Sequence, residues 1–414
     1  MTSTTQLDLF RNDRLLNDLW TAYFDARKHK RNTMNALHFE LDLEHNIHQL
    51  YEEIFYGTYK ISPSICFIVN RPVKREVFAA HFRDRVVHHL VINKLLPLFE
   101  NQFIYDSYSC RVGKGTLFGI RRLQKFIRSC TDNYRKEAFV LKLDIQGFFM
   151  SIRKSLLLAK VEDLIQRKYN GDDKELLLSL VRQIILNDPT QGCIVKGRRS
   201  DWKGLPANKS LFSTPKDCGL PIGNITSQVF ANYYLNDFDH FMKEKLKLKY
   251  YGRYVDDFFV VHEDKTYLRS LVPLVREYLF SVVGVVLHPR KIYLQSCMRG
   301  VQFVGAYIAP FRTYLSKRTV TNFKTAMREI ALLFPDSVET HNYASLQSRL
   351  STRLSDDERG GVAARINSYL GLCRHFNTAR MCRAACHTLP EVMLQCYAFG
   401  VGCEKITFVR CLRD

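Results

Sequence analysis

The sequence predicts an α+β fold in which paired strands carry the chemistry and helices surround them. Three observations predict it. First, Lys249-Tyr250-Tyr251-Gly252-Arg253-Tyr254-Val255-Asp256-Asp257-Phe258-Phe259-Val260-Val261 sets aromatic and β-branched runs on both sides of two adjacent aspartates. Such runs favour strand, and Asp-Asp favours a turn, so the stretch reads as a hairpin with both carboxylates at its tip. Second, Phe139-Val140-Leu141-Lys142-Leu143-Asp144 is a buried-type strand ending on a third aspartate, and Ile145-Gln146-Gly147 then turns into a helix. Third, segments of helical spacing precede and follow both.

The chain has 414 residues, too many for one compact core, which points to two or three subdomains. Lys+Arg number 61 against 41 Asp+Glu, a net charge of +20, and an excess spread over the whole chain points to a polyanionic partner. The 12 cysteines form no Cys-x-x-Cys pair and no zinc spacing. Those crowded near the end (Cys373, Cys382, Cys386, Cys396, Cys403, Cys411) read as buried helical thiols. The opening Met1-Thr2-Ser3-Thr4-Thr5-Gln6 has no signal-peptide character, and no apolar run approaches ~18 residues, so a reduced cytoplasmic setting without a membrane span is expected.

In chain order, helices are expected over about Leu7–Ala26 and Met34–Phe55, with the basic run Arg27-Lys28-His29-Lys30-Arg31 between them. Gly57 and Pro63 break the second helix, Ile65–Val69 reads as a strand, and a basic turn leads through Lys74 and Arg75 to Val77–Ala80. A helix follows from Phe82 to about Phe99. Ser107 to Thr116 is a glycine-punctuated basic loop opening a helix, where backbone N–H groups and Arg111 could meet phosphates. It lacks Walker spacing, and an ordinary turn explains it as well. Helices run on to Leu186, and 187–218 reads as an ordered polar insertion. Gly219-Leu220-Pro221-Ile222-Gly223-Asn224-Ile225-Thr226-Ser227-Gln228 opens the next helix, its glycines permitting close approach of a nucleotide or template base. After the hairpin come a helix (Tyr267–Val282), a turn His288-Pro289-Arg290-Lys291, a strand (Val301–Ile308), a basic helix from Ser316 to about Leu333, and helices near Tyr343–Leu354, Ala363–Phe376 and Ala379–Thr388.

The aspartates set the chemistry. Two carboxylates ~4 Å apart at an effective dielectric near 20 repel by about 4 kcal/mol. A divalent cation is the usual compensation, and hard oxygen ligands suit Mg²⁺. A solvated Asp-Asp turn is the plainer alternative. An aspartate at a strand end facing two more builds a three-carboxylate site, and two ions ~3.5–4 Å apart in such a site stabilise the attacking and leaving oxygens of phosphoryl transfer.

The blocks LDIQGFF at Asp144, GLPIGNITSQ, YVDD, HPRK and FVGAYI, in this order, resemble the palm of bacterial reverse transcriptases, over about residues 15–390. GNITSQ and Arg365-Ile366-Asn367-Ser368-Tyr369-Leu370-Gly371 are most similar to the diversity-generating retroelement enzymes and the defence-associated reverse transcriptases of the unclassified group. The resemblance implies a right-hand polymerase: N-terminal helices and fingers over 1–135, a palm of antiparallel sheet plus helices over 136–310 with 187–218 inserted, and a helical thumb and tail over 311–414. It implies that Asp144 and Asp256 ligate two Mg²⁺ ions (Mn²⁺ as a substitute), with Asp257 and the Ile145 carbonyl in support. Phe149 matches the gate against a ribose 2′-OH. Arg75, Arg111 and, more weakly, Lys74 match triphosphate contacts. Ile222, Gly223 and Gln228 lie in the nucleotide-binding block, and Lys291 matches the proton donor to pyrophosphate. Phe303-Val304-Gly305 matches the primer grip, and Lys317, Arg318, Lys324 and Arg328 would track the duplex backbone.

Two departures stand out. Ile222 replaces the family's commoner glutamine, and 187–218 is longer than the same connection in many relatives. No segment after the thumb is expected to be long enough for an RNase H, integrase or HNH endonuclease domain. The activity this implies is RNA-directed DNA synthesis from a dedicated non-coding RNA, with dNTPs and a DNA primer or product, in antiphage defence. Mutagenic copying in a diversity-generating retroelement and protein-primed or untemplated synthesis are the alternatives. A non-catalytic RNA-binding scaffold is the remaining one, and the intact aspartate set argues against it. An accessory protein, a second polymerase subunit or a second copy of the chain are further candidate partners.

Overall fold

The computed structural model describes residues 4–28, 33–70, 73–333, 356–376, 378–386, 397–399 and 405–408. The chain divides into two compact units, 1–122 with 139–294 and 123–138 with 295–414. Residues 295–310 therefore group with the C-terminal helices instead of with the preceding strands.

The first unit begins with α1 (Thr4–Arg27), α2 (Met34–Glu40) and α3 (Leu43–Phe55). Helix α1 buries Leu15, Leu19, Ala22, Tyr23 and Ala26, one stripe at helical spacing. The single helix expected from Met34 to Phe55 is two helices broken at Leu41 and Asp42. Leu41 is exposed, and aspartate favours a helix start over a helix interior. Strands β1 (Ile65–Val69) and β2 (Arg75–Ala79) pair antiparallel, Ile65 opposite Ala79. Helix α4 (Phe82–Gln102) follows and runs through the core, burying Val86, Val87, Leu90, Val91, Leu95 and Phe99. Helix α5 (Thr116–Cys130) carries the chain from the first unit into the second.

Strands β3 (Phe139–Asp144), β5 (Tyr251–Tyr254) and β6 (Asp257–His262) lie in one sheet, with β6 between β5 and β3 and antiparallel to both. Phe258, Phe259, Val260 and Val261 are all buried, so both faces of β6 are covered, which explains the unbroken apolar run. Helices α6 (Phe148–Ser151), α7 (Lys154–Lys168) and α8 (Lys174–Leu186) follow β3. The insertion then adds a strand, β4 (Ile194–Val195), which pairs parallel to β1. Helices α9 (Ile225–Tyr234) and α10 (Asn236–His240) lead into β5. Eight of the ten α9 residues are buried, and Tyr233 packs on Phe99 of α4 with ring centroids 4.5 Å apart. Helix α11 (Lys265–Tyr278) follows β6, capped by Asp264, whose carboxylate accepts from the backbone N–H groups of Thr266 and Tyr267. Strand β7 (Tyr293–Ser296) then carries the chain into the second unit.

In the second unit, β8 (Val301–Phe303), β9 (Ala306–Ala309) and β10 (Arg312–Leu315) form an antiparallel sheet. Helices α12 (Lys317–Leu333), α13 (Asp356–Cys373) and α14 (Ala379–Cys386) follow, with a small hairpin of β11 (Tyr397–Phe399) and β12 (Ile406–Phe408). Phe323, Met327 and Ile330 of α12 and Ile366, Leu370 and Cys373 of α13 share one core. The Asn367 amide donates to the Ile406 carbonyl and accepts from its N–H, tying α13 to β12. Cys373 and Cys382 are buried and unbridged, as expected of helical thiols. Burial, with Cys382 alongside, pushes the Cys373 thiol up to about 12. The side chain of Cys386, Cys396, Cys403, Cys411, the helix expected near 343–354 and the run His29-Lys30-Arg31 lie outside the described residues. No helix among the described residues is long and apolar enough to cross a membrane.

Candidate active site

The register of β3 against β6 brings the aspartates together. Asp144 lies directly opposite Asp257, and Leu143 opposite Phe258. Directly opposed residues of an antiparallel pair project from the same face, about 4.5–5.5 Å apart at Cβ, and like charges there repel. The β5–β6 turn contains Val255 and Asp256 alone, because Asp257 already pairs with Tyr254 as the first residue of β6. The hairpin tip thus carries one carboxylate, not two. Val255 sits at φ 56°, a region that costs a β-branched residue on the order of 1–3 kcal/mol.

The arginine two residues before Val255 restrains that turn. Arg253 is fully buried and paired with the fully buried Asp239 of α10. Its Nε donates to Asp239 Oδ1 at 2.7 Å and one terminal nitrogen to Oδ2 at 2.5 Å. The guanidinium also donates to the Val255 carbonyl at 2.9 Å and the Asn232 carbonyl at 3.1 Å. The Tyr251 hydroxyl adds a bond to Asp239 Oδ1 at 2.6 Å. Arg253 stands in the stretch that sequence reasoning singled out, without a role. The available signal was a lone arginine in a strand of aromatic and β-branched neighbours, where a charge persists only if paired.

The site is strongly anionic. Burial, then the charges of Asp144 and Asp257, push the Asp256 carboxyl up to about 7. Asp257 is also raised, by burial first, against the lowering effect of Lys142. Lys142 Nζ stands 3.4 Å from Asp257 Oδ1, and Lys291 Nζ donates to Asp144 Oδ2 at 2.8 Å. The His288-Pro289-Arg290-Lys291 turn is fixed by two backbone bonds, His288 N–H to the Asp144 carbonyl (2.8 Å) and Gln146 N–H to the Val286 carbonyl (2.9 Å). Three hard oxygen donors brought this close, with the carboxyls of Asp256 and Asp257 raised, suit divalent cations of the Mg²⁺ type. Among the described residues no three His, Cys, Asp or Glu side chains already form a cage for an ion. The carboxylates face lysines instead.

The other expected positions are distributed as follows. Ile145 is buried and its backbone bridges to Leu287. Phe149 and Ile222 pack against the same small cluster of Cys66, Phe78, Met150 and Leu211. Gly223 adopts φ 132°, and a Cβ there would meet Val77 Cγ1 at 2.9 Å and the Phe78 carbonyl at 3.1 Å, so only glycine lets this loop lie against β2. Gln228 is exposed, its amide oxygen 3.2 Å from Cys110 Sγ. Arg75 is exposed at the start of β2, and Lys74 donates to the Lys203 carbonyl at 2.8 Å. Arg111, expected to meet a triphosphate, is otherwise engaged. It pairs with Glu100 at 2.7 Å and donates to the carbonyls of Ile104 and Ser107, because its loop folds back onto the end of α4. Phe303, Val304 and Gly305 belong to the second unit, where Val304 (φ 36°) and Gly305 (φ 91°) form the β8–β9 turn and the Gly305 carbonyl accepts from Ser316 N–H and the Thr319 hydroxyl.

The family described as reverse transcriptase (RNA-dependent DNA polymerase) matches residues 74–308, more than half of the chain. Protein YkfC of Escherichia coli (strain K12) is 22% identical over 166 residues, 39% of this chain and 36% of that protein. Among solved structures, telomerase from Candida albicans in complex with a TWJ fragment of telomeric RNA aligns with 13% identity, 76% of this chain, 54% of that chain and a TM-score of 0.44. Apo telomerase from Candida tropicalis aligns with 12% identity, 75% and 60% coverage and a TM-score of 0.43. The chain thus spans just over a third of the curated relative's length and between half and two thirds of these structures.

Proposed function

The chain belongs to the reverse transcriptase (RNA-dependent DNA polymerase) family, and from that premise we propose that it is itself an RNA-directed DNA polymerase. The observation that carries the reading is the β3–β6 register, with Asp144 opposite Asp257 and Asp256 in the adjoining turn. Divalent cations held by Asp144 and Asp256, with Asp257 and the Ile145 carbonyl in support, would supply charge neutralisation for the attacking and leaving oxygens of phosphoryl transfer. Lys291 sets its Nζ 2.8 Å from Asp144 Oδ2, and it is the residue proposed to supply the proton that a leaving pyrophosphate oxygen needs. Phe149 is wedged between the main core and the Phe78 cluster, and a ring so held can exclude a 2′-OH by bulk. Arg75, exposed at the start of β2, is the cation proposed for the triphosphate, ahead of the engaged Arg111. Phe303-Val304-Gly305 is proposed to steady the primer.

The proposed substrates are dNTPs, a dedicated non-coding RNA as template, and a DNA primer or product. Antiphage defence is the proposed setting, favoured over a diversity-generating retroelement by the long 187–218 insertion. The test is extension of a DNA primer on an RNA template with dNTPs and Mg²⁺. Asp256→Ala should lower the rate by on the order of 10³ while RNA binding and melting temperature hold. Substantial extension by the Asp256→Ala, Asp257→Ala double variant would refute the assignment.

A further inference from the structure

The segment 194–209 holds five basic residues among sixteen (Lys196, Arg198, Arg199, Lys203, Lys209) and one acidic residue, Asp201. All five basic residues are exposed. The carboxylate of Asp201 is taken up locally by the Arg198 backbone N–H at 2.8 Å. Five like charges on one short segment repel one another unless an anion lies along them.

The segment is nevertheless held firmly, at three places. Strand β4 pairs with β1 through Ile194 N–H to the Ser64 carbonyl and Lys196 N–H to the Cys66 carbonyl, both 2.8 Å. The buried Glu76 of β2 accepts from the Trp202 indole (2.7 Å), the Ser210 hydroxyl (2.7 Å) and the Leu211 N–H (2.6 Å). Gly147, three residues after Asp144, lies so close that a Cβ there would sit 2.8 Å from the Asn208 carbonyl oxygen. The insertion is therefore a fixed basic platform abutting the loop that leaves the catalytic strand. It also leaves an aromatic ring half in water: Phe212 is 50% exposed, its ring 5.4 Å from that of Phe78. Fixed cations beside an exposed ring suit a single-stranded nucleic acid, whose phosphates meet the cations and whose unpaired bases stack on the ring.

We propose that the 187–218 insertion is a docking surface for single-stranded RNA. It deepens the polymerase reading and rests on it, since a template must be led single-stranded to Asp144.

The test compares wild type with the triple variant Lys196→Ala, Arg199→Ala, Lys209→Ala, and separately with Phe212→Leu, which keeps an apolar cover on Phe78 and removes the ring. The probes are a labelled unstructured RNA of about 20 nucleotides and a blunt RNA duplex of equal length. Single strands lose about 0.7 in log affinity per tenfold salt for each phosphate neutralised, so the triple variant should flatten the salt slope for the single strand by about 2. Between 50 and 200 mM salt, wild type should then lose roughly twenty-fold more affinity than the variant. Phe212→Leu should weaken the single strand about ten-fold at an unchanged slope. An unchanged slope in the triple variant overturns the proposal, as does undiminished affinity in Phe212→Leu. Equal losses for strand and duplex overturn the single-strand assignment. Binding needs no synthesis, so a wild type that shows these effects yet extends no primer refutes the polymerase reading and leaves the surface standing.

Discussion

Replacing Arg253 by lysine keeps one buried positive charge and removes the fork that spends it. In the folded protein the guanidinium serves both Asp239 oxygens, the Val255 carbonyl and the Asn232 carbonyl. A lysine ammonium reaches from a single point and can hold the Asp239 side of this set, taking that donor from the buried Asn232 carbonyl and the half-buried Val255 carbonyl. Each such acceptor costs about 1–3 kcal/mol, so the variant should lose on the order of 3 kcal/mol. For a unit of this size that is roughly 6–12 °C in melting temperature. The bond to Val255 is the one tied to chemistry, because it restrains the turn at φ 56° that presents Asp256. A misplacement of about 1 Å there can cost on the order of a hundred-fold in rate. The assay is single-turnover primer extension with saturating dNTP, run well below the variant's melting temperature, with KM measured alongside. The expected result is a ten- to hundred-fold fall in kcat at nearly constant KM (~10–100-fold). A variant that melts early yet keeps the wild-type kcat would refute the claim that Arg253 positions the turn and leave it a purely structural residue.

Phe149→Ala should admit ribonucleotides, because exclusion by bulk disappears with the ring; an unchanged dNTP/rNTP preference in incorporation assays would place the gate elsewhere. Ile222→Gln should reduce misincorporation up to about ten-fold if a side-chain amide can reach the incoming nucleotide, one hydrogen bond being worth ~0.5–1.5 kcal/mol. Because Ile222 packs with Phe149 against the Phe78 cluster, the same change should also lower the melting temperature, and equal error spectra in two active enzymes would leave Ile222 as packing alone. The buried His88 bonds to the Thr226 hydroxyl at 2.5 Å, and burial followed by the charges of Arg85 and His89 pushes its pKa down to about 3. The unfolded chain takes up that proton near pH 6.5 and the folded chain does not, so stability should fall as pH drops from about 6.5 towards 3. Melting curves at pH 7.5 and 5 should show a smaller acid loss in His88→Gln than in wild type, and equal losses would exclude His88 as the source.

Much of the active-site chemistry was legible in order along the chain. Asp144 closing an apolar strand, Asp256-Asp257 between two β-rich runs, and the glycine-marked loops are local patterns, and local propensity and turn chemistry act over a few residues. Helices α1 and α12 were legible for the same reason, since each buries one stripe at its own period. What lay beyond the sequence was everything that depends on which segments meet. Register set Asp144 against Asp257 and moved Asp257 off the hairpin tip, and a shift of one residue would have turned it to the other face. Arg253 found Asp239 fourteen residues earlier on another element, and a buried charge gives no sign of its partner in the chain. Arg111 read as a phosphate ligand until the loop folded back and set Glu100 against it. The insertion read as ordered but without a strand of its own, because two residues make a weak strand signal; the edge of β1 supplied the missing half of the ladder, and Glu76, an ordinary acidic residue in sequence, became the buried post on which the basic platform stands. The chain by itself determined the kinds of groups present and their order. Tertiary structure decided their partners, because charge pairing, strand register and close packing depend on distances in space that separation along the chain does not specify.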